Sequence, residues 1–220
     1  MRIQLATLAL LAIVAVPEQR AAAQARVCVT GTVQQASGPS ICGQPFTHEI
    51  DCSKVMLRSS AVNLNQFLGK TVELIGFDVG VTCPIIDVQQ VLPAPATLIR
   101  CGSPTAGCPV KLKVCPVGIG QWWLFLSFAP GFAPLGCSNP SGGIHGTFLL
   151  GGPVFVIGSG AGTMCGETLL NIPLNNSLVG LQVFFQGARR NVGPIGPLQL
   201  TNPECFTIGP PSPACVLPNC

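Results

Sequence analysis

The stretch His48-Glu49-Ile50-Asp51-Cys52 carries the densest chemistry in the chain. In an extended segment alternate side chains share a face, so His48, Ile50 and Cys52 fall on one side and Glu49 and Asp51 on the other. An imidazole beside a thiol is the arrangement that activates a cysteine nucleophile. Two carboxylates on one face are the beginning of an oxygen site for a divalent cation. Each has a plainer counterpart, and the plainer one is preferred. Twelve cysteines favour a bridged Cys52 beside a surface histidine, and oxygen sites usually recruit more than two carboxylates.

Three further stretches invite the same weighing. Gly158-Ser159-Gly160-Ala161-Gly162 has the composition of a phosphate loop. Such loops need the amides of a following helix, and Thr163-Met164-Cys165-Gly166 does not start one, so a turn between strands is expected. Glu167 and Glu204 are the only acids beyond residue 97. Glycoside hydrolysis needs two carboxyls across a cleft, and nothing in the sequence brings these two together. Trp122 and Trp123 face opposite ways if extended, which puts one ring in a core. The other is a weak candidate for stacking on a saccharide or filling an interface, so Trp122 and Trp123 are the ligand-binding candidates. Arg189-Arg190 reads as a solvated turn. Asn175-Asn176-Ser177 fits a glycosylation sequon. No residue is assigned a catalytic or metal-binding role, and no cofactor is expected.

The elements that must position these residues are set by export and by sulfur. Met1-Arg2-Ile3-Gln4, the apolar run Leu5–Val16, Pro17 and the small-residue stretch Ala21–Ala25 follow the order of a secretory signal peptide. Cleavage is expected after Ala25. As a helix, the run spans only about 18 Å, short of a hydrocarbon core of about 30 Å. Export delivers Cys28, Cys42, Cys52, Cys83, Cys101, Cys108, Cys115, Cys137, Cys165, Cys205, Cys215 and Cys220 to an oxidising compartment. Their number is even, no C-x-x-C pair occurs, and only His48 and His145 could supply imidazole. All twelve are therefore disulfide candidates, with structural bridges expected for most of them rather than a zinc site. Four lie in the first half, six in the second and two in the tail, which suggests that each part is bridged internally.

Charge excludes one class of partner. Only 9% of residues are charged and the net charge is +3, whereas an electrostatic nucleic-acid binder needs a basic stripe. The texture of the chain predicts residues 26–93 as one domain, 94–98 as a linker, 99–209 as a second domain and 210–220 as a Pro- and Cys-rich tail. In the first domain four strands are predicted, over Val27–Val33, Lys54–Leu57, Lys70–Phe77 and Ile85–Val91. A short helical turn is predicted at Asn63–Leu68, capped by Asn63 and stopped by Gly69. Strands curving around one short helix, with Gly31 and Gly76 inside them, point to a small closed barrel. In the second domain, short strands over 110–114, 122–128, 147–150, 154–157, 169–172, 181–185 and 198–201 are separated by turn signals. These are Pro130-Gly131, Asn139-Pro140, Gly142-Gly143 and Asn202-Pro203, and the pattern is that of a β-sandwich.

Two resemblances accompany this pattern. The segments VCVTGTV, NLNQFLGKTVELIGF and PIIDVQQV resemble an OB-type barrel over about 65 residues. The strand count of four and a helix ahead of the third strand depart from that family, as does the lack of a basic, aromatic face. The segments WWLFLSFAP, LNIPLNNSLVGLQVFFQG and GPLQLTNPECFTIGP resemble the C-terminal module of uncharacterised secreted proteins of planctomycete-type bacteria. That resemblance implies a secreted β-domain and no activity. The expectation is thus an all-β chain, a small OB-like barrel followed by a disulfide-bridged β-sandwich, secreted, periplasmic or at the cell surface. It is expected to be non-enzymatic and to act in surface binding or structural assembly at the cell envelope, with an envelope component or polysaccharide as partner and no nucleic acid. A saccharide-binding module and, more remotely, a secreted hydrolase are the alternatives.

Overall fold

The alternation of Val27, Val29, Gly31 and Val33 builds a strand, β1 (Arg26–Gln35), that is buried on both faces. The computed structural model describes residues 26–38, 43–115, 119–137, 143–162, 164–191, 196–212 and 214–215. The expected signal peptide, 1–25, lies outside them, as do Cys42, Cys220 and the Asn139-Pro140 and Gly142 turn signals. One face of β1 lines a closed five-stranded barrel made with β2 (His48–Ile50), β3 (Met56–Arg58), β4 (Thr71–Asp78) and β5 (Ile85–Pro93). The order around the barrel is β1-β2-β3-β5-β4. All its pairings are antiparallel except β3 with β5. Val27, Val29, Val33, Ile50, Leu57, Leu74, Ile86 and Val88 fill its interior.

The first half therefore has five strands where four were expected. The missing one, β2, is only three residues long, too short to show a period in the sequence. The 3-10 turn Leu64–Phe67 follows the third strand instead of preceding it, and the Asn63 side chain caps it by accepting from the Asn65 amide. Two glycines are required by close approach. A Cβ at Gly31 would collide with the Cγ2 of Ile50, and one at Gly76 would collide with the Asp87 carbonyl, where β5 carries a bulge at Gln89.

The second half is also all-β. It opens with β6 (Thr97–Cys101), which begins inside the stretch expected to be a linker, where Ala96 is already fully buried. With β7 (Pro109–Cys115) and β10 (Gly166–Asn171), β6 forms a three-stranded sheet. Facing it are β8 (Gly120–Cys137), β9 (Ile144–Gly162), β11 (Gln182–Asn191) and β12 (Leu198–Thr207), which close on themselves in the order β11-β12-β9-β8. Leu98, Val110, Leu112, Val114, Leu124, Phe185 and Phe206 pack between the two layers in a sandwich core.

Two of the expected turns are instead strand. Pro130-Gly131 lies within β8, whose ladder with β9 shifts register on either side of it. Bulges let the long β8–β9 hairpin bend without ending, which the sequence shows only as interrupted apolar runs. Asn202-Pro203 lies within β12. The Asn202 side chain is buried, accepts from the Leu98 amide at 2.8 Å and donates to the Leu98 carbonyl at 3.1 Å. It thus satisfies one residue of β6 as a neighbouring strand would.

The far end of the β8–β9 hairpin crosses to the first barrel. Leu149 belongs to the barrel's core and Phe132 packs against it. The Thr147 hydroxyl donates to the Cys28 carbonyl. Among the described residues, two disulfides join the halves, Cys28–Cys137 and Cys52–Cys205. The expectation of bridges confined to each half is overturned here, because β1 is sandwiched between the barrel interior and β8, β9 and β12. Cys115–Cys165 lies within the second half. Cys108–Cys215 pins the tail to that half, so the tail does not close on itself through Cys215. Cys83 and Cys101 are also disulfide-bonded. No helix of the described residues is long and apolar enough to cross a membrane.

Candidate functional site

The residues of the His48–Cys52 stretch are locked into structure. β2 is extended, so His48 and Ile50 turn inward while Asp51 is exposed. His48 is buried, not a surface histidine. Its Nδ1 pairs with the Thr47 hydroxyl at 2.8 Å and its Nε2 with Asn65 Oδ1 at 3.2 Å. Cys52 is bonded to Cys205 and sits at a positive φ of 57° in the turn after β2. A bridged sulfur is no nucleophile, so the pair has no thiolate chemistry. Glu49 is held by Gln34 and Ser37, and Asp51 accepts the Cys52 amide.

The two late acids are set in different sheets. Glu167, on β10, pairs with Lys113 at 2.8 Å and Lys111 at 3.7 Å, and the Lys113 hydrogen bond holds its carboxyl below the usual carboxylate range. Glu204, on β12, lies 3.9 Å from Arg100. Burial pushes its pKa up to about 7, the Arg100 charge opposes that rise, and Asp51 adds to it.

A junction site was not legible in the sequence. Glu73 on β4 is buried and bonds the Nε2 of His145 on β9, across the two halves. The sulfur of Cys28 lies close enough for the three to resemble a metal-ligand group, with their ligating atoms within 4.8 Å of one another. That sulfur is committed to Cys137, which leaves two ligands. Sequence separations of 45 residues or more hide such a group; only the fold assembles it. Equally hidden is Gln186, fully buried on β11. Its Oε1 accepts the Leu149 amide at 2.8 Å, and its Nε2 donates to the Thr147 and Thr201 carbonyls at 3.0 Å each.

The tryptophans separate as strand alternation requires. Trp122 is 8% exposed and belongs to the sandwich core, which removes it as a ligand-binding candidate. The glycine-rich stretch 158–162 is its seat, not a turn: Gly160 pairs with Trp122 in the β8–β9 ladder. A Cβ at Gly160 would come within 2.9 Å of the indole nitrogen, and one at Gly166 would overlap the ring.

Trp123 faces the other way, half-buried, on the wall of an open groove of about 450 Å³. Among the described residues, Phe125, Gly143, Ile144, Arg190 and Leu198 line it with Trp123. β8 supplies the aromatic wall, and the start of β9 and β12 supplies the aliphatic one, where Leu198 pairs with Ile144 in parallel. Phe125 is braced edge-to-face by Phe148, with ring centroids 5.6 Å apart. Arg190, expected in a turn, is the penultimate residue of β11 and is exposed, its Nε donating to the Gly196 carbonyl at 3.3 Å. The groove is concave, mostly apolar and edged by one charge, which is the usual make-up of a small-molecule site.

Comparison with protein-family models, with curated proteins and with solved structures finds none that matches the chain.

Proposed function

We propose that the chain is an exported, non-enzymatic binding protein of the cell envelope, and that the Trp123 groove is its contact face. The first half is read as an OB-type barrel, on its five strands, its 1-2-3-5-4 order and the helical turn after the third strand. The observation that carries the functional reading is the lining of the groove. Among the described residues there, Arg190 is the only ionisable one, and a guanidinium does not exchange protons near neutral pH. Such a wall holds a ligand without offering it acid–base or nucleophilic chemistry. Disulfide bridging of the described cysteines and the sparse charge favour an oxidising, extracytoplasmic setting.

The half-exposed indole of Trp123 also favours a second reading, a saccharide-binding module, since sugar rings stack on aromatic faces. One experiment addresses both. The exported chain is incubated with isolated bacterial envelopes, with purified peptidoglycan and with envelope polysaccharides, and sedimentation is measured alongside turnover of generic ester, peptide and glycan substrates. Binding to at least one fraction, reduced by Trp123→Ala, with no turnover, is expected. Turnover by the purified chain, or failure to bind every fraction, would contradict the proposal. Retention on polysaccharide alone would favour the second reading.

A further inference from the structure

We propose that the Trp123 groove takes a single amphipathic anion, with an acyl or aryl body against the apolar walls and an acid head at Arg190; this rests on the binding role proposed for the groove. Four of the lining side chains, Trp123, Phe125, Ile144 and Leu198, are apolar. They meet a ligand body by area burial and offer its hydroxyls little: a sugar lying on Ile144 and Leu198 would leave polar groups facing hydrocarbon. Among the described lining residues, the one polar side chain is a cation.

Other cations of the chain are engaged. Arg189 donates to Gln199 at 2.7 Å, Arg100 faces Glu204, Arg58 donates to Gln44, and Lys111 and Lys113 share Glu167. Arg190 has one bond, from Nε to a backbone carbonyl, and no carboxylate pairs with it among the described residues. Its terminal nitrogens form a planar fork suited to bidentate pairing with a carboxylate or other acid group. Placed at the edge of an apolar groove, that fork attracts an anion more strongly than it would in open water. A cationic amphiphile would gain the walls and be repelled by the head site.

The test uses the exported chain with dodecanoate, dodecyltrimethylammonium and a neutral oligosaccharide such as cellohexaose, the amphiphiles kept below micelle formation. Tryptophan emission and calorimetry report binding; Trp122 is buried, so Trp123 dominates any change. Saturable one-to-one binding of dodecanoate is expected, weakened at least about tenfold by Arg190→Gln and less by Arg190→Lys, which keeps the charge but not the bidentate fork. Arg58→Gln, a distant cation, should leave the affinity unchanged. Equal binding of the cationic amphiphile, an affinity indifferent to Arg190→Gln, or uptake without saturation would overturn the proposal. So would binding to phosphatidylglycerol vesicles with none to the free anion. Cellohexaose binding that survives Arg190→Gln would overturn it while leaving the groove a binding face. Silence of every probe, together with failure to bind any envelope fraction, would remove both.

Discussion

Gln186 shows what a single buried side chain does where two strands part. β9 and β12 pair in parallel over only two residues, Ile144 with Leu198 and His145 with Gln199. Beyond them the amide of Gln186 reaches the Leu149 amide and the Thr147 and Thr201 carbonyls. Gln186→Leu keeps the volume and removes every one of these partners. Leaving buried backbone groups unpaired costs about 1–3 kcal/mol each, so a loss of roughly 3 kcal/mol in urea unfolding is expected, and a loss under about 0.5 kcal/mol would contradict the role. Glu204 acts in the opposite sense. Its carboxyl titrates near 7 in the folded chain and near 4.5 when unfolded, so the folded form holds the proton more tightly. Its contribution is therefore most favourable below about pH 4.5 and declines as pH rises towards 7. Glu204→Gln should stabilise the chain at about pH 8 by on the order of 1–2 kcal/mol, allowing for the solvent that still reaches the carboxylate, and the gain should vanish near about pH 4. A gain that grows on acidification would refute this.

At the scale of elements, glycine placement decides where strands may touch. Gly31 gives Ile50 the centre of the first barrel. Gly31→Ala should cost about 1–3 kcal/mol by overpacking, and combining it with Ile50→Ala should cost less than the sum of the two. Additive losses would show that the contact is not the cause. The same strands show what the sequence could reveal. β1, β4 and β5 alternate over many residues and were legible from period alone. β2 was not, since three residues carry no period, and β6 was hidden by the Pro-Ala repeat before it. Asn202-Pro203 and Pro130-Gly131 carry turn chemistry but sit in strands, because a buried asparagine side chain and β-bulges took over the pairing that a turn would have ended. Of the candidate site, Trp123 could be named in advance, but not its partners. Ile144, Arg190 and Leu198 are brought to it by pairings between distant strands, which no local spacing encodes.

At the scale of the molecule, the two halves form one stapled body. β1 lines the barrel core on one face and meets β8, β9 and β12 on the other, the β8–β9 hairpin reaches across, and Glu73 meets His145 beside the Cys28–Cys137 bridge. The bridges span 109 and 153 residues. In the chain-entropy model a loop of about 100 residues gives near 4.7 kcal/mol per bridge. A chain with 9% charged residues, and few ion pairs among the described ones, gains stability from such links. The most direct measurement is non-reducing peptide mass spectrometry of the chain recovered from outside the cytoplasm. An N-terminus at Arg26, with Cys28 linked to Cys137 and Cys52 linked to Cys205, is the predicted result. An unprocessed N-terminus with free thiols at these four positions, or bridges confined to each half, would contradict the account.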